Sequence, residues 1–172
     1  MDGSWQIHPE RSKVMLSDDT KLKIYNPNHR NERDAIKKYI LDNYDTSWDG
    51  ISSLISALDD HYDYAIVLSK NNIIKGVVSY FISKKHSYIE VDHIGVVEHG
   101  RGYGKILMFT VFKIADILNK KTVSLVTNGS SNEFYEKIGM CHVNNKTPAV
   151  YEITLEEIRL LNIMRIVIGF HV

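Results

Sequence analysis

The chain has a single cysteine, Cys141, among 172 residues. That excludes an intrachain disulfide and any metal cluster built on cysteine alone. It fits a reducing compartment, so a cytoplasmic protein is expected. Charge of neither sign is in excess: Lys and Arg number 21, and so do Asp and Glu. Duplex-binding proteins usually carry a basic surplus, so no nucleic-acid partner is expected. No apolar run reaches the ~18 residues that a membrane span needs, and no membrane partner is expected. His86 and His93 are not spaced as a metal site and nothing else supplies ligands, so no metal is expected. The first residues, Met1-Asp2-Gly3-Ser4-Trp5-Gln6, are polar and unlike a signal or transit peptide. Repeats and low-complexity stretches are absent. At this length one domain is expected, large enough to bury a core without staples.

What the chain does have is a glycine-dense turn running straight into an apolar helix: Glu98-His99-Gly100-Arg101-Gly102-Tyr103-Gly104-Lys105-Ile106-Leu107. A strand-like apolar run, residues 88–97, leads into it. Strand, glycine turn and helix together present bare backbone N–H groups to an anion, and the helix start adds about half a positive charge. Glycine is needed where a Cβ would block close approach or where φ is positive. A phosphorylated cofactor near residue 100 is the expectation.

Periodicity supplies the surroundings. Lys21-Leu22-Lys23-Ile24-Tyr25 alternates as a first strand, after a polar stretch over residues 1–20 that reads as an arm or loop. Ala35, Ile36, Tyr39, Ile40 and Tyr44 fall at helical spacing, as do Ile51, Leu54, Ile55 and Leu58 in a second helix that Ser47 is placed to cap. Strands over residues 64–68 and 73–82 flank the turn signal Asn71-Asn72 and predict a hairpin. A third long strand covers 87–97, a buried helix 103–119, and a strand 122–127. Ser130 or Ser131 caps a short helix that stops at Gly139, and residues 150–153 form a last strand. Residues 155–168 are apolar and basic at roughly helical spacing. Consecutive strands pair antiparallel, whereas strand–helix–strand over residues 88–127 requires a parallel pair. The fold class is therefore mixed α/β (α+β): a mostly antiparallel sheet with one parallel pair, about four flanking helices and a helical tail.

Two motifs identify a likeness. The turn reads His99-Gly100-Arg101-Gly102-Tyr103-Gly104, and downstream stands Asn128-Gly129-Ser130-Ser131-Asn132-Glu133-Phe134-Tyr135-Glu136-Lys137-Ile138-Gly139-Met140. Together, a helix and a strand apart, they resemble the GNAT-type N-acetyltransferases. The first is similar to the family's Arg/Gln-x-x-Gly-x-Gly/Ala loop, with His99 in place of Arg or Gln. The second is similar to Asn-x-x-Ala-x-x-φ-Tyr-Glu-Lys-φ-Gly-Phe, where φ is apolar, with Ser131 for Ala and Met140 for Phe. The likeness covers residues 21–154, with 1–20 as an N-terminal arm and 155–172 as a tail.

The resemblance implies an acetyl-CoA-dependent N-acetyltransferase acting by direct attack of a primary amine. It implies the coenzyme held by Ile94, Gly95 and Val96 of the strand, by His99 to Lys105 (Gly100, Arg101, Gly102, Tyr103 and Gly104 between them), and by Asn128, Ser131 and Tyr135. A bulge near Ile94 to Val96 would free an amide for the thioester carbonyl, cheaply so at Gly95. Tyr135 corresponds to the general acid. For the base, Glu90 is the first choice and Asp92 the second. On an unbroken strand these two share a face with Ile94 and Val96, and His93 points the other way unless a bulge turns it. Plainer roles stand beside each assignment: Tyr135 as a core tyrosine, Glu90 and Asp92 as solvated strand residues, His99 and Arg101 as loop surface, Cys141 as a buried small hydrophobe.

Two other phosphate-binding classes fail. A dinucleotide fold wants Gly-x-Gly-x-x-Gly after its first strand, and here Leu107 follows. A triphosphate loop needs Ser or Thr where Ile106 follows Lys105. A non-catalytic acyl-CoA-binding module on the same fold remains an alternative. In the family, the segments corresponding to 39–60 and 144–149 build the acceptor pocket. Tyr44, Trp48 and Tyr62, with Asp42, Asp45, Asp49, Asp59 and Asp60, suit a cation such as a polyamine, an aminoglycoside or a lysine side chain, or else form a solvated acidic surface. The tail, with Leu160, Leu161, Ile163 and Met164, packs on the domain or pairs two copies as a homodimer.

Overall fold

The computed structural model describes residues 14–17, 19–45, 47, 49–59, 63–127, 129–143 and 148–161. In chain order the elements are β1 (Val14–Ser17), β2 (Thr20–Tyr25), α1 (Arg30–Asn43), α2 (Asp49–Asp59), β3 (Tyr64–Lys70), β4 (Ile73–Ile82), β5 (Tyr88–Val96), α3 (Tyr103–Ile117), β6 (Thr122–Thr127), α4 (Asn132–Lys137), β7 (Cys141–His142), β8 (Ala149–Thr154) and α5 (Leu155–Leu160). The strands form one sheet in the order β1-β2-β3-β4-β5-β6-β8-β7. Every neighbouring pair is antiparallel except β5 and β6. This is the mixed sheet that the element order demands. Two strands were not expected: β1 lies in the stretch read as arm or loop, and β7 is only two residues long.

Local chemistry explains the punctuation. Lys70 pairs with Ile73 across Asn71 and Asn72, which have φ of 52° and 62°. Two positive φ values in a two-residue loop match the right-handed twist of the strands, and asparagine tolerates them. After α4, Gly139 N–H donates to the Glu136 carbonyl and Met140 N–H to that of Tyr135, both at 3.0 Å. Such a paired stop needs a left-handed residue, and Gly139 has φ of 93°. At α5, Thr154 Oγ1 accepts from Glu157 N–H while Glu157 Oε2 accepts from Thr154 N–H at 2.7 Å. This reciprocal cap starts the last described helix on time.

Each sheet face carries its own core. On one face α3 lays Leu107, Met108, Val111 and Phe112, all fully buried, against Ile66, Val78, Tyr80, Ile89 and Val91. Side chains of this size contribute about 1.5–3 kcal/mol each when taken from water. On the other face α1 and α2 cover Ala65, Val67 and Val77 with Ile40, Ile51, Leu54 and Leu58. Arg33 is buried completely between them; its guanidinium donates to the carbonyls of Asp63 at 2.7 Å and Ala57 at 3.2 Å. A charge is tolerated there because it meets the carbonyl end of α2.

Two register breaks matter for the site. Leu68 and Ser69 of β3 oppose Gly76 and Ile74, which leaves Lys75 as an extra residue in β4. Ser79 and Tyr80 of β4 oppose His93 and Val91, which leaves Asp92 extra in β5. A bulge therefore exists in the expected strand, but at Asp92 and not within 94–96. Cys141 is exposed, against the expectation of burial: it sits on the short edge strand β7, where no layer covers it. Among the described residues no helix is long and apolar enough to cross a membrane, and no group of His, Cys, Asp or Glu is gathered to hold a metal.

Candidate active site

The bulge at Asp92 re-aims everything after it. Ile89 and Val91 belong to the α3 core, and Ile94 and Val96 pack against that same core. Glu90, between Ile89 and Val91, is exposed on the opposite face. The expected face shared by Glu90, Asp92, Ile94 and Val96 does not exist, because one inserted residue inverts the alternation. Gly95 points away from α3, since a Cβ built on it would lie 2.8 Å from the Gly50 carbonyl oxygen and 2.6 Å from the Leu54 nitrogen in α2.

The same strand parts from its neighbour. The parallel ladder between β5 and β6 ends at Val91 and Leu125, although both strands continue. On the β4 side, His93 N–H donates to Ser79 Oγ at 3.2 Å and Val97 N–H to the Lys75 carbonyl at 3.0 Å. Backbone groups alternate sides along a strand. The N–H groups of Ile94 and Val96 therefore leave from the other edge, into the gap that β6 vacates. Such free amides can receive an extended ligand or an oxyanion.

A cavity of about 850 Å³ occupies this gap. Ile94, Gly95 and Val96 form one wall. The glycine turn forms its floor through His99, Gly100, Gly102, Tyr103, Gly104 and Lys105. Ser131, Phe134, Tyr135 and Lys137 close it from the α4 side. Gly100 and Gly102 have φ of 74° and 80°, and Gly102 is the N-terminal cap of α3, with no side chain over the helix end. The first intrahelical bond runs from Ile106 N–H to the Gly102 carbonyl. The amides of Tyr103, Gly104 and Lys105 thus lack helical acceptors, and all three residues line the cavity. Gly104 is small for another reason: a Cβ there would come within 3.3 Å of the Phe134 ring.

Groups of both signs stand at the cavity: His99, Lys105 and Lys137, and with them Glu98 and Glu133, the latter with Oε1 2.6 Å from Lys137 Nζ. Lys75, the bulge residue of β4, reaches Glu98 Oε1 at 2.7 Å, and Arg101 lies 3.4 Å from the other oxygen of Glu98. This chain of ion pairs braces the turn and holds the Glu98 carboxyl below its usual range, chiefly through the Lys75 hydrogen bond. Arg101 is exposed and does not line the cavity. Tyr135 is buried, with its ring 5.1 Å from Phe134 and 5.7 Å from Tyr151. Burial pushes its phenol up to about 12, so it stays protonated at neutral pH.

The remaining expected residues fall elsewhere. Asn128 lies outside the described residues. Glu90 lines a separate groove of about 320 Å³ with Ser124 and Glu152. Asp92 Oδ2 contacts His93 Nδ1 at 2.8 Å. On the acidic rim, Asp59 is paired with Lys37, and Tyr44 turns its hydroxyl inward to the Ile74 carbonyl at 2.6 Å. Asp42 and Asp45 are exposed; Trp48, Asp60, Tyr62 and the Asp49 side chain lie outside the described residues, as do 144–147 and 162–172. Sequence reasoning missed Gly50 and Ser53, which bring α2 to the cavity, and Phe134 and Lys137, which were quoted only as motif matches. Small residues at a helix start announce a close approach, but not which strand is approached.

The chain matches the sequence profile of the acetyltransferase (GNAT) family over residues 23–140. No curated protein matches it. Among solved structures it is similar to the catalytic domain of a Tetrahymena histone acetyltransferase in complex with coenzyme A, at 17% identity and a TM-score of 0.57, covering 79% of this chain and 93% of that one. It is also similar to AtaTR bound with acetyl-CoA, at 12% identity and a TM-score of 0.61, covering 84% and 99%. A third is the PaiA N-acetyltransferase from Thermoplasma acidophilum in complex with coenzyme A, at 14% identity and a TM-score of 0.51, covering 77% and 98%. These likenesses carry the fold, and the profile match spans most of the chain: it belongs to the GNAT family of acetyltransferases.

Proposed function

We propose that this chain transfers the acetyl group of acetyl-CoA to a primary amine by direct attack, without a covalent enzyme intermediate. The observation that carries the proposal is the parting of β5 from β6, with free amides on one wall of the gap and a buried, protonated phenol on another. The diphosphate lies on the amides of Gly102 to Lys105, and the pantetheine arm runs along Ile94 and Val96 in place of the missing strand. The thioester carbonyl accepts from one of those amides, which stabilises the oxyanion as the amine adds. Tyr135 gives its proton to the departing thiolate. The base comes from the exposed polar residues of β5, Glu90 and Asp92 among them. Ser131 supports the coenzyme arm: it occupies the cap position of α4, yet its side chain makes no capping bond and lines the cavity. Solved relatives holding coenzyme A or acetyl-CoA on the same fold support the choice of coenzyme.

A thermal-shift series tests this. Acetyl-CoA at a hundred times its Kd stabilises the native state by about 2.7 kcal/mol and must raise the melting temperature, whereas NAD and ATP leave it unchanged. Free thiol is then followed with a panel of amines. Binding without turnover on any amine would leave a non-catalytic acyl-CoA-binding module.

A further inference from the structure

We propose that the imidazole of His93 is the base that takes the amine proton, with Asp92 as its positioning residue. The inference rests on the acetyl-transfer reading and names the group on which that reading turns. Three observations lead to it. Asp92 Oδ2 lies 2.8 Å from His93 Nδ1. An ionised carboxylate only accepts, so Nδ1 is the donor and the neutral ring keeps its lone pair on Nε2. No hydrogen bond to Nε2 exists among the described residues, and the side chain is 43% exposed.

The second observation is place. His93 immediately precedes Ile94, whose amide faces the gap, and it stands just past Val91, where the β5–β6 ladder ends. Its side chain shares a face with Gly95, about 7 Å away at two residues along a strand. The cavity reaches that face, because Gly50 and Ser53 of α2 line it beside Gly95. An amine attacking the thioester needs an open approach. α2 covers that face at Gly95 but not at the half-exposed His93, which borders the cavity through Ile94 without lining it, and on this reading the amine arrives there. Glu90 is four residues from Ile94, about 13 Å along the strand, and borders the other groove.

The third is the bulge. Without the extra residue at Asp92, the carboxylate and the imidazole would point to opposite faces and could not meet. The inserted residue is what brings neighbouring side chains into contact.

The chemistry balances. The nitrogen lone pair of a neutral amine forms the N–C bond. The C–S bond breaks as a proton on that nitrogen passes to Nε2, and the thiolate takes the Tyr135 phenol proton. The imidazolium then returns its proton to the phenolate through solvent. The products are the amide and free CoA thiol.

The test combines a tautomer measurement with kinetics on the full chain. Long-range ¹H–¹⁵N correlation, with the His93 signals assigned by their loss in His93→Gln, is expected to show the Nδ1–H form in wild type and a move towards Nε2–H in Asp92→Ala. Thiol release from acetyl-CoA, with spermidine and with water as acceptors, is expected to fall about 100-fold in His93→Gln and less in Asp92→Ala. The thermal shift with acetyl-CoA is unchanged in both, and added imidazole restores part of the loss in His93→Ala. An Nε2–H tautomer in wild type, or His93→Gln turning over within threefold of an active wild type, overturns the inference and leaves a surface ion pair only. A wild type that acetyl-CoA does not stabilise, or that transfers acetyl to no amine of the panel, spermidine included, overturns the acetyl-transfer reading, and the inference with it.

Discussion

Gly95 lies directly beneath Gly50: a Cβ on Gly95 would stand 2.8 Å from the Gly50 carbonyl oxygen. Backbone meets backbone here, so neither partner can rotate a side chain away. Replacing Gly95 with alanine must push α2 off β5 and is expected to cost about 3 kcal/mol. Thermal unfolding should show a melting temperature lower by about 6–12 °C. An unchanged melting temperature would mean that α2 does not sit there.

The glycines of the turn separate into two kinds. Gly102 needs its positive φ but has open space where a Cβ would go. Gly102→Ala is therefore expected to lose about 1 kcal/mol of stability through backbone strain. Gly104 lies outside the left-handed region, but a Cβ on it would stand 3.3 Å from the Phe134 ring, which shares the cavity lining. Gly104→Ala is expected to keep near-native stability and to weaken acetyl-CoA binding about tenfold, or ~1.4 kcal/mol. Calorimetric titration of both variants separates the two effects.

Tyr135→Phe removes the hydroxyl proposed as proton donor and little else, since the ring keeps its place against Phe134 and Tyr151. Turnover is expected to fall about 100-fold while the thermal shift with acetyl-CoA persists. Stability should also change with pH. The folded phenol is raised to about 12, above its ordinary value of 10.0. The unfolded chain thus ionises first as pH rises, and the contribution to stability, complete below pH 10, is lost between about 10 and 12. Urea titrations across that window should show a shallower alkaline loss in Tyr135→Phe than in wild type.

Tyr80 buries its hydroxyl completely in the α3 core with no hydrogen-bond partner among the described residues, its ring stacked 5.6 Å from Tyr64. Burial drives its ionisation far above the ordinary tyrosine range. An unsatisfied buried hydroxyl costs stability. Tyr80→Phe is therefore expected to be neutral or stabilising by about 1 kcal/mol, measured as a urea midpoint at unchanged slope. A loss of several kcal/mol would show that the hydroxyl has a partner.

Much of this architecture is local and was legible in the chain. Asn71-Asn72 specifies its hairpin through two positive φ values, and the heavily apolar run from Leu107 to Ala115 specifies a buried helix. Glycine at 100 and 102, followed by uncapped helical residues, specifies a row of amides without helical acceptors wherever the rest of the chain goes. Two segments escaped for want of local signal. The two residues of β7 are too few to show alternation, and β1 has no hydrophobic period distinct from a loop.

The candidate site was half legible for the same reason. Residues proposed to act through their own backbone, Gly100 and Gly102 to Lys105, were singled out from their types, and they line the cavity. Residues whose role depends on a neighbour were not. The bulge at Asp92 belongs to two strands in register, so it cannot be seen in one; it alone turns Glu90 away from Ile94 and joins Asp92 to His93. Gly95 reads as a convenience for the strand until α2 lands on it. Short-range order, set by dihedral preference and apolar spacing, is thus inherent in the chain. Which face each side chain reaches, and what stands across from it, arises from contacts between segments far apart in sequence, and those exist once the sheet has formed.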